Sequence, residues 1–151
     1  MGACIEKTIF LLVEDDPNDV LIVEREFKRR GVVGLRVVHD GIEAVRYLEG
    51  KGDYQDRIKF PMPDVVLLDL KMPRFSGFDF LEWLRGRAPG HLHLIPIVVL
   101  SSSDEPGDVR RAYALGVNSY IVKPLHWAEF QDKMRALSVY WSQHVETPVV
   151  T

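Results

Sequence analysis

The chain has 151 residues, enough for one domain with a buried core, and its 46% hydrophobic and 27% charged content is ordinary for a globular protein. The formal net charge of −3, with no Lys/Arg run longer than Lys28-Arg29-Arg30, argues against a nucleic-acid partner. No apolar stretch approaches the roughly 20 residues needed to span a bilayer, no signal-peptide pattern opens the chain, and the lone Cys4 excludes an internal disulfide framework, so a reducing cytoplasm is the expected setting.

The first apolar run, 8–13, predicts a strand ending in Glu14-Asp15. Asp16-Pro17 then sets an N-cap acid before a proline at the first helical position, with Asp19 placed as a capping-box acid. Val20, Val23 and Phe27 recur at helical spacing, and Gly31 stands where that helix should stop. A second strand at 35–38 leads into a helix marked by Ile42, Val45 and Leu48, then into an irregular link over 50–63 that exceeds the usual few residues. The third strand, 65–68, delivers Asp69, and Phe78, Leu81 and Leu84 mark the helix behind it. The fourth strand, 95–100, delivers Ser101; Asp104 is placed to cap a helix carrying Val109, Ala112 and Leu115, which Gly116 ends. The fifth strand, 118–122, delivers Lys123 and is followed by a helix with Phe130, Met134, Leu137 and Trp141 on one stripe. Five strand–helix units predict an α/β fold, a parallel sheet with helices on both faces, expected as one domain over 1–145 with a short tail, 146–151, and without an output domain.

In such a sheet every strand's C-terminal end lies along one edge, where ligands bind at the switch point. The polar residues of these runs gather there. Helix capping explains Asp16 and Asp104, but not three acids, Glu14, Asp15 and Asp69, within a few ångströms of one another, where like charges repel by several kcal/mol. A divalent cation and a lysine resolve the repulsion: three carboxylates and Lys123 sum to about −2, which a hard, oxygen-seeking Mg²⁺ neutralises. A dianionic phosphoryl group could then approach, with Asp69 as nucleophile forming an acyl phosphate while Lys123 and the Ser101 hydroxyl hold its oxygens. The histidines (His39, His91, His93, His126, His144) form no metal-ligand pattern and no phosphodonor helix is present, so the phosphate comes from outside. No Gly-rich phosphate loop supports nucleotide binding.

"LLVEDD", "LLDLKMP", "VVLSSS" and "YIVKP" fall in the order and spacing of bacterial response-regulator receiver domains, and the resemblance runs over roughly 8–140. It implies the (βα)5 flavodoxin-like receiver fold with strand order 2-1-3-4-5, and Asp69 as phospho-acceptor. Mg²⁺ would be bound by Asp15 directly, by Glu14 mainly through water and by the Lys71 carbonyl. It further implies Ser101 as switch hydroxyl, Lys123 as the phosphoryl-binding lysine aimed by a cis Lys123-Pro124 bond, and Tyr120 as the aromatic that turns inward on phosphorylation. The 50–63 link, "SSSD", "AYALGVNSYIVKP" and a last helix ending in "YW" resemble stand-alone receivers partnered with phytochrome-type histidine kinases. Four departures matter: Glu14 stands where Asp is commoner, Ser101 where Thr is, Lys71 where Asn is frequent, and His126 where a capping Asp or Ser is usual. The Lys71 ammonium is expected within reach of the phosphoryl group.

Two rival classes are weighed against these residues. A haloacid-dehalogenase-like phosphatase wants a second acid two residues after the nucleophile, where this chain has Lys71. A degenerate receiver acting as a constitutive binding module predicts loss of Asp69, Asp15 or Lys123, and all are retained. The reading is therefore a switch phosphorylated by a sensor histidine kinase. It is also expected to pair with a second copy through Tyr140, Trp141 and Val145. Val139, Tyr140 and Val145 add apolar surface to the last helix beyond the stripe that holds Trp141, Tyr and Trp are enriched in interface cores, and the resemblance implies pairing through helix four, strand five and helix five.

Overall fold

The computed structural model describes residues 7–150, so Cys4 lies outside them. Five parallel strands, β1 (Phe10–Val13), β2 (Leu35–Val38), β3 (Val65–Leu68), β4 (Ile97–Ser101) and β5 (Ser119–Val122), form one sheet in the order 2-1-3-4-5. The helices are α1 (Pro17–Arg29), α2 (Gly41–Glu49), α3 (Gly77–Gly86), α4 (Pro106–Ala114) and α5 (Trp127–Val139). The period-2 alternation of the buried strands divides the core in two. Leu11, Val13, Val66, Leu68 and Val99 meet α2, α3 and α4 on one face, while Phe10, Leu12, Val65, Leu67, Val98 and Leu100 meet α1 and α5 on the other.

Helix punctuation follows the local chemistry with two exceptions. Asp16 caps α1 by accepting from the Asn18 N–H, and Gly31 (φ 75°) and Gly116 (φ 85°) take the left-handed turns that end α1 and α4. Asp19, expected to close a capping box, instead binds Lys123 across the sheet edge. Asp104 does not cap α4 either: Glu105 occupies the cap position without a side-chain bond, and Ser103 reaches the helix by donating to Asp108 at 2.6 Å. At α5, His126 sits at the cap position and makes no side-chain capping bond.

The 50–63 link is organised by Arg57. Its guanidinium donates to the Tyr47 and Leu48 carbonyls at 2.7 and 2.8 Å, satisfying the end of α2, and to the Phe60 carbonyl at 3.2 Å. Tyr47, Tyr54 and Phe60 pack their rings together beneath it.

Beyond α5 the chain widens into a π-helical turn, Tyr140–His144, and Trp141 within it is seated in the α1/α5 core. That placement corrects the expected pairing surface. Trp141 is buried within its own chain and Val145 packs half-buried against the same cluster, because the stripe of Phe130, Met134 and Leu137 continues through Trp141. Of the three residues only Tyr140, 55% exposed, faces outward. The tail folds back, with Val150 buried against the opposite core cluster and the Thr147 hydroxyl 3.3 Å from Asp64.

Candidate functional site

Strand register builds the site. Val13 pairs with Leu68, Leu68 with Val99, and Ser101 with Val122, so Glu14 and Asp69 leave the sheet side by side, with Ser101 one residue and Lys123 two residues further along the same edge. Backbone bonds continue the ladder past the strand ends: the Asp69 N–H donates to the Val13 carbonyl and the Lys123 N–H to the Ser101 carbonyl. Close helix packing supports the same edge. A Cβ on Gly77, at the start of α3, would lie 2.4 Å from the Asp69 carbonyl oxygen, so only glycine lets α3 begin against the loop after β3.

Glu14, Asp15 and Asp69 bring carboxylate oxygens within 4.8 Å of one another, the one such acid cluster among the described residues. Glu14 is 1% exposed and Asp69 4%, whereas Asp15 faces solvent. The Lys123 ammonium lies 2.7 Å from Glu14 and 3.8 Å from Asp69. It also lies 2.9 Å from Asp19. The electrostatics match the crowding. Burial, reinforced by the Asp69 charge, pushes the Glu14 carboxyl up to about 7 despite Lys123. Asp69 is raised by burial as well, with Lys123 opposing the rise. Burial works against the Lys123 charge, but Glu14 and Asp69 together hold its ammonium above the usual lysine range. Buried acids that resist ionisation beside one lysine make a site short of positive charge. An all-oxygen donor set of this kind fits a hard divalent cation.

The Lys71 ammonium is engaged elsewhere than expected. It pairs with Asp108 on α4 at 3.1 Å, while the Lys71 backbone N–H donates to the Asp69 carboxylate at 3.3 Å. Asp108 is held below the usual carboxylate range by the Ser103 hydroxyl and by Lys71. Ser103 is the junction of a wider network, its N–H donating to Ser101 Oγ at 3.2 Å and its carbonyl accepting the Tyr120 hydroxyl at 2.8 Å. Tyr120 is half-buried against the α2/α3/α4 cluster, already turned to this loop. No described peptide bond is cis, so Lys123-Pro124 is trans; Lys123 is oriented by its three acidic neighbours and by its N–H bond to Ser101.

The expected acceptor, acids, hydroxyl and lysine thus converge at one sheet edge, while Lys71 turns toward α4 and Asp19 joins the site unannounced. Asp19 carries a spacing signal for a helix cap, and only the fold reveals its other use.

Comparison with known proteins agrees with this architecture. A family model for the response regulator receiver domain matches residues 10–135. The probable methanogenesis regulatory protein FilR2 of Methanothrix harundinacea is 36% identical over 137 residues, 88% of this chain and 83% of that protein. Response regulator Rcp1 of Synechocystis sp. is 30% identical over 141 residues, 93% of this chain and 92% of that protein. The crystal structure of the Mn²⁺-bound form of Rcp1 superposes with a TM-score of 0.85 over 94% of this chain and 99% of that one. The phosphorylated cyanobacterial phytochrome response regulator RcpA gives the same TM-score, identity of 30% and coverage. With the family model spanning most of the chain and the sheet order matching, the chain belongs to the response regulator receiver domain family of two-component signalling, close to phytochrome response regulators.

Proposed function

We propose that this receiver is a phosphoryl-accepting switch in which Asp69 takes a phosphoryl group from a phosphohistidine of a sensor kinase of the phytochrome type. The observation that carries the reading is the convergence of Glu14, Asp15 and Asp69 within 4.8 Å beside Lys123. One Asp69 oxygen attacks phosphorus as the P–N bond to the donor imidazole breaks; the imidazole leaves with the electron pair and takes a proton, and an acyl phosphate remains. Lys123 and Ser101 hold phosphoryl oxygens. Glu14, Asp15, Asp69 and the Lys71 carbonyl would hold Mg²⁺, which supplies charge neutralisation for the incoming dianion. The Mn²⁺-bound and phosphorylated states named for Rcp1 and RcpA support the same chemistry here. Acetyl phosphate should label the protein in Mg²⁺ and fail to do so in EDTA; equal labelling in both removes the metal from the proposal.

The output follows from Ser103. Its links to Ser101 and Tyr120 connect the acceptor to the α4–β5 surface, and a phosphoryl group drawing in the Ser101 hydroxyl would favour the arrangement in which Tyr120 is tied to the loop. Ser101→Ala should still bind beryllofluoride, more weakly, while amide NMR shifts over 104–120 stay at their resting positions. Shifts that move as in wild type would remove Ser101 as the coupler.

Pairing of two copies through the last helix belongs to the same proposal, narrowed to the outward Tyr140. Light scattering should show a concentration-dependent dimer that Tyr140→Ala dissociates. A wild type that stays monomeric at high micromolar concentration, with and without beryllofluoride, counts against it.

A further inference from the structure

Asp19 is the one acid at the site that neither caps its helix nor joins the three-carboxylate cluster. Asp16 caps α1, and the hydrogen bond found for the Asp19 carboxylate is the one it accepts from Lys123, at 2.9 Å. The Lys123 ammonium has three protons. Glu14 at 2.7 Å and Asp19 at 2.9 Å take two of them in charge-assisted hydrogen bonds, and Asp69 at 3.8 Å lies beyond hydrogen-bond reach. The pair is well screened from water, with the Lys123 side chain 11% exposed and that of Asp19 23%, so its attraction exceeds that of a surface ion pair.

We propose that Asp19 is a positioning residue that holds the Lys123 ammonium off Asp69 in the resting protein, so that an incoming phosphoryl group must draw the lysine away from it. This rests on Asp69 as the phosphoryl acceptor. The competition has a clear direction. Glu14 and Asp15 have a second use in holding a cation, whereas the bond found for the Asp19 carboxylate is to Lys123, so Asp19 acts on phosphoryl binding through the lysine. Asp19 therefore weakens phosphoryl binding and keeps the unphosphorylated state clear of stray activation.

Fluorine NMR titration of beryllofluoride in Mg²⁺ tests this. Asp19→Asn, which keeps the side chain's size and loses its charge, should tighten beryllofluoride binding by about three- to tenfold. Asp19→Glu should return it near the wild-type value. In a Lys123→Met background the Asp19→Asn gain should shrink to less than about twofold, because the gain acts through the lysine. A purely structural role would move thermal stability and leave this cycle flat. Unchanged or weaker binding in Asp19→Asn, or an equal gain without Lys123, overturns the inference while leaving the acceptor assignment standing. A wild type that binds no beryllofluoride, or an Asp69→Asn protein that binds it equally, overturns the acceptor assignment and this inference together.

Discussion

Replacing Asp69 by Asn is expected to cut phosphoryl uptake from acetyl phosphate by at least about a hundredfold while making the protein more stable near pH 8. The amide keeps the shape of the side chain and loses the anionic oxygen that attacks phosphorus. Glu14, gripped by Lys123 and itself reluctant to ionise, is a poor substitute. The gain in stability has a separate cause. Burial raises Asp69 above the usual carboxylate range, so its protonated form favours folding and that contribution is lost as pH rises through the folded-state value. Asn removes the charge and its repulsion with Glu14, worth about 1–2 kcal/mol and a few degrees in Tm at this size. Calorimetry at pH 5 and pH 8 should show the advantage of the variant growing with pH. An Asn variant that labels at the wild-type rate rules out Asp69 as nucleophile, and one less stable at pH 8 contradicts the electrostatic picture.

Lys123→Met is expected to have the opposite effect on stability. It leaves Glu14 and Asp69, both almost wholly buried, without the ammonium that offsets them, at a cost of about 3 kcal/mol near pH 8. The pH window follows from Glu14, whose carboxyl moves from 4.5 to about 7 on folding. A raised folded-state value means stability is fully present below the unfolded value and declines as pH rises from 4.5 through about 7. Without Lys123 the Glu14 carboxyl is raised further, so the loss extends to higher pH and shrinks toward pH 5, where Glu14 carries its proton in either protein. Millimolar Mg²⁺ should recover more stability in the variant than in wild type, since binding to the folded state alone stabilises it by mass action. Urea titrations at pH 5 and pH 8 check both statements; a destabilisation that does not vary with pH contradicts the electrostatic account, since methionine keeps most of the apolar stem and removes only the charge.

The fold was legible because its signals are local. Alternation of buried strands with helical spacing fixes five β–α units, and Asp16, Gly31 and Gly116 punctuate the helices by backbone chemistry that acts over a few residues. The core of the site was legible for a related reason: a parallel sheet brings the C-terminal ends of its strands to one edge, so Glu14, Asp69, Ser101 and Lys123 are grouped before any contact is known. The features that escaped lie between elements far apart in sequence. Asp19 carries the spacing of a capping acid, and only the position of Lys123, 104 residues away, diverts it. Lys71 reads as a cation beside the acceptor until α4 offers Asp108. Trp141 reads both as the end of the α5 stripe and as part of a pairing surface, and in the π-helical turn it is buried in the α1/α5 core. The trans Lys123-Pro124 bond departs from the family resemblance rather than from any local rule.

Peptide mapping of the protein after acetyl phosphate and Mg²⁺ tests the phosphoryl-acceptor assignment most directly. The expected result is one adduct, stable in acid and lost in base, on the peptide carrying Asp69. An adduct on a histidine or on another acid, with the Asp69 peptide unmodified, would contradict it.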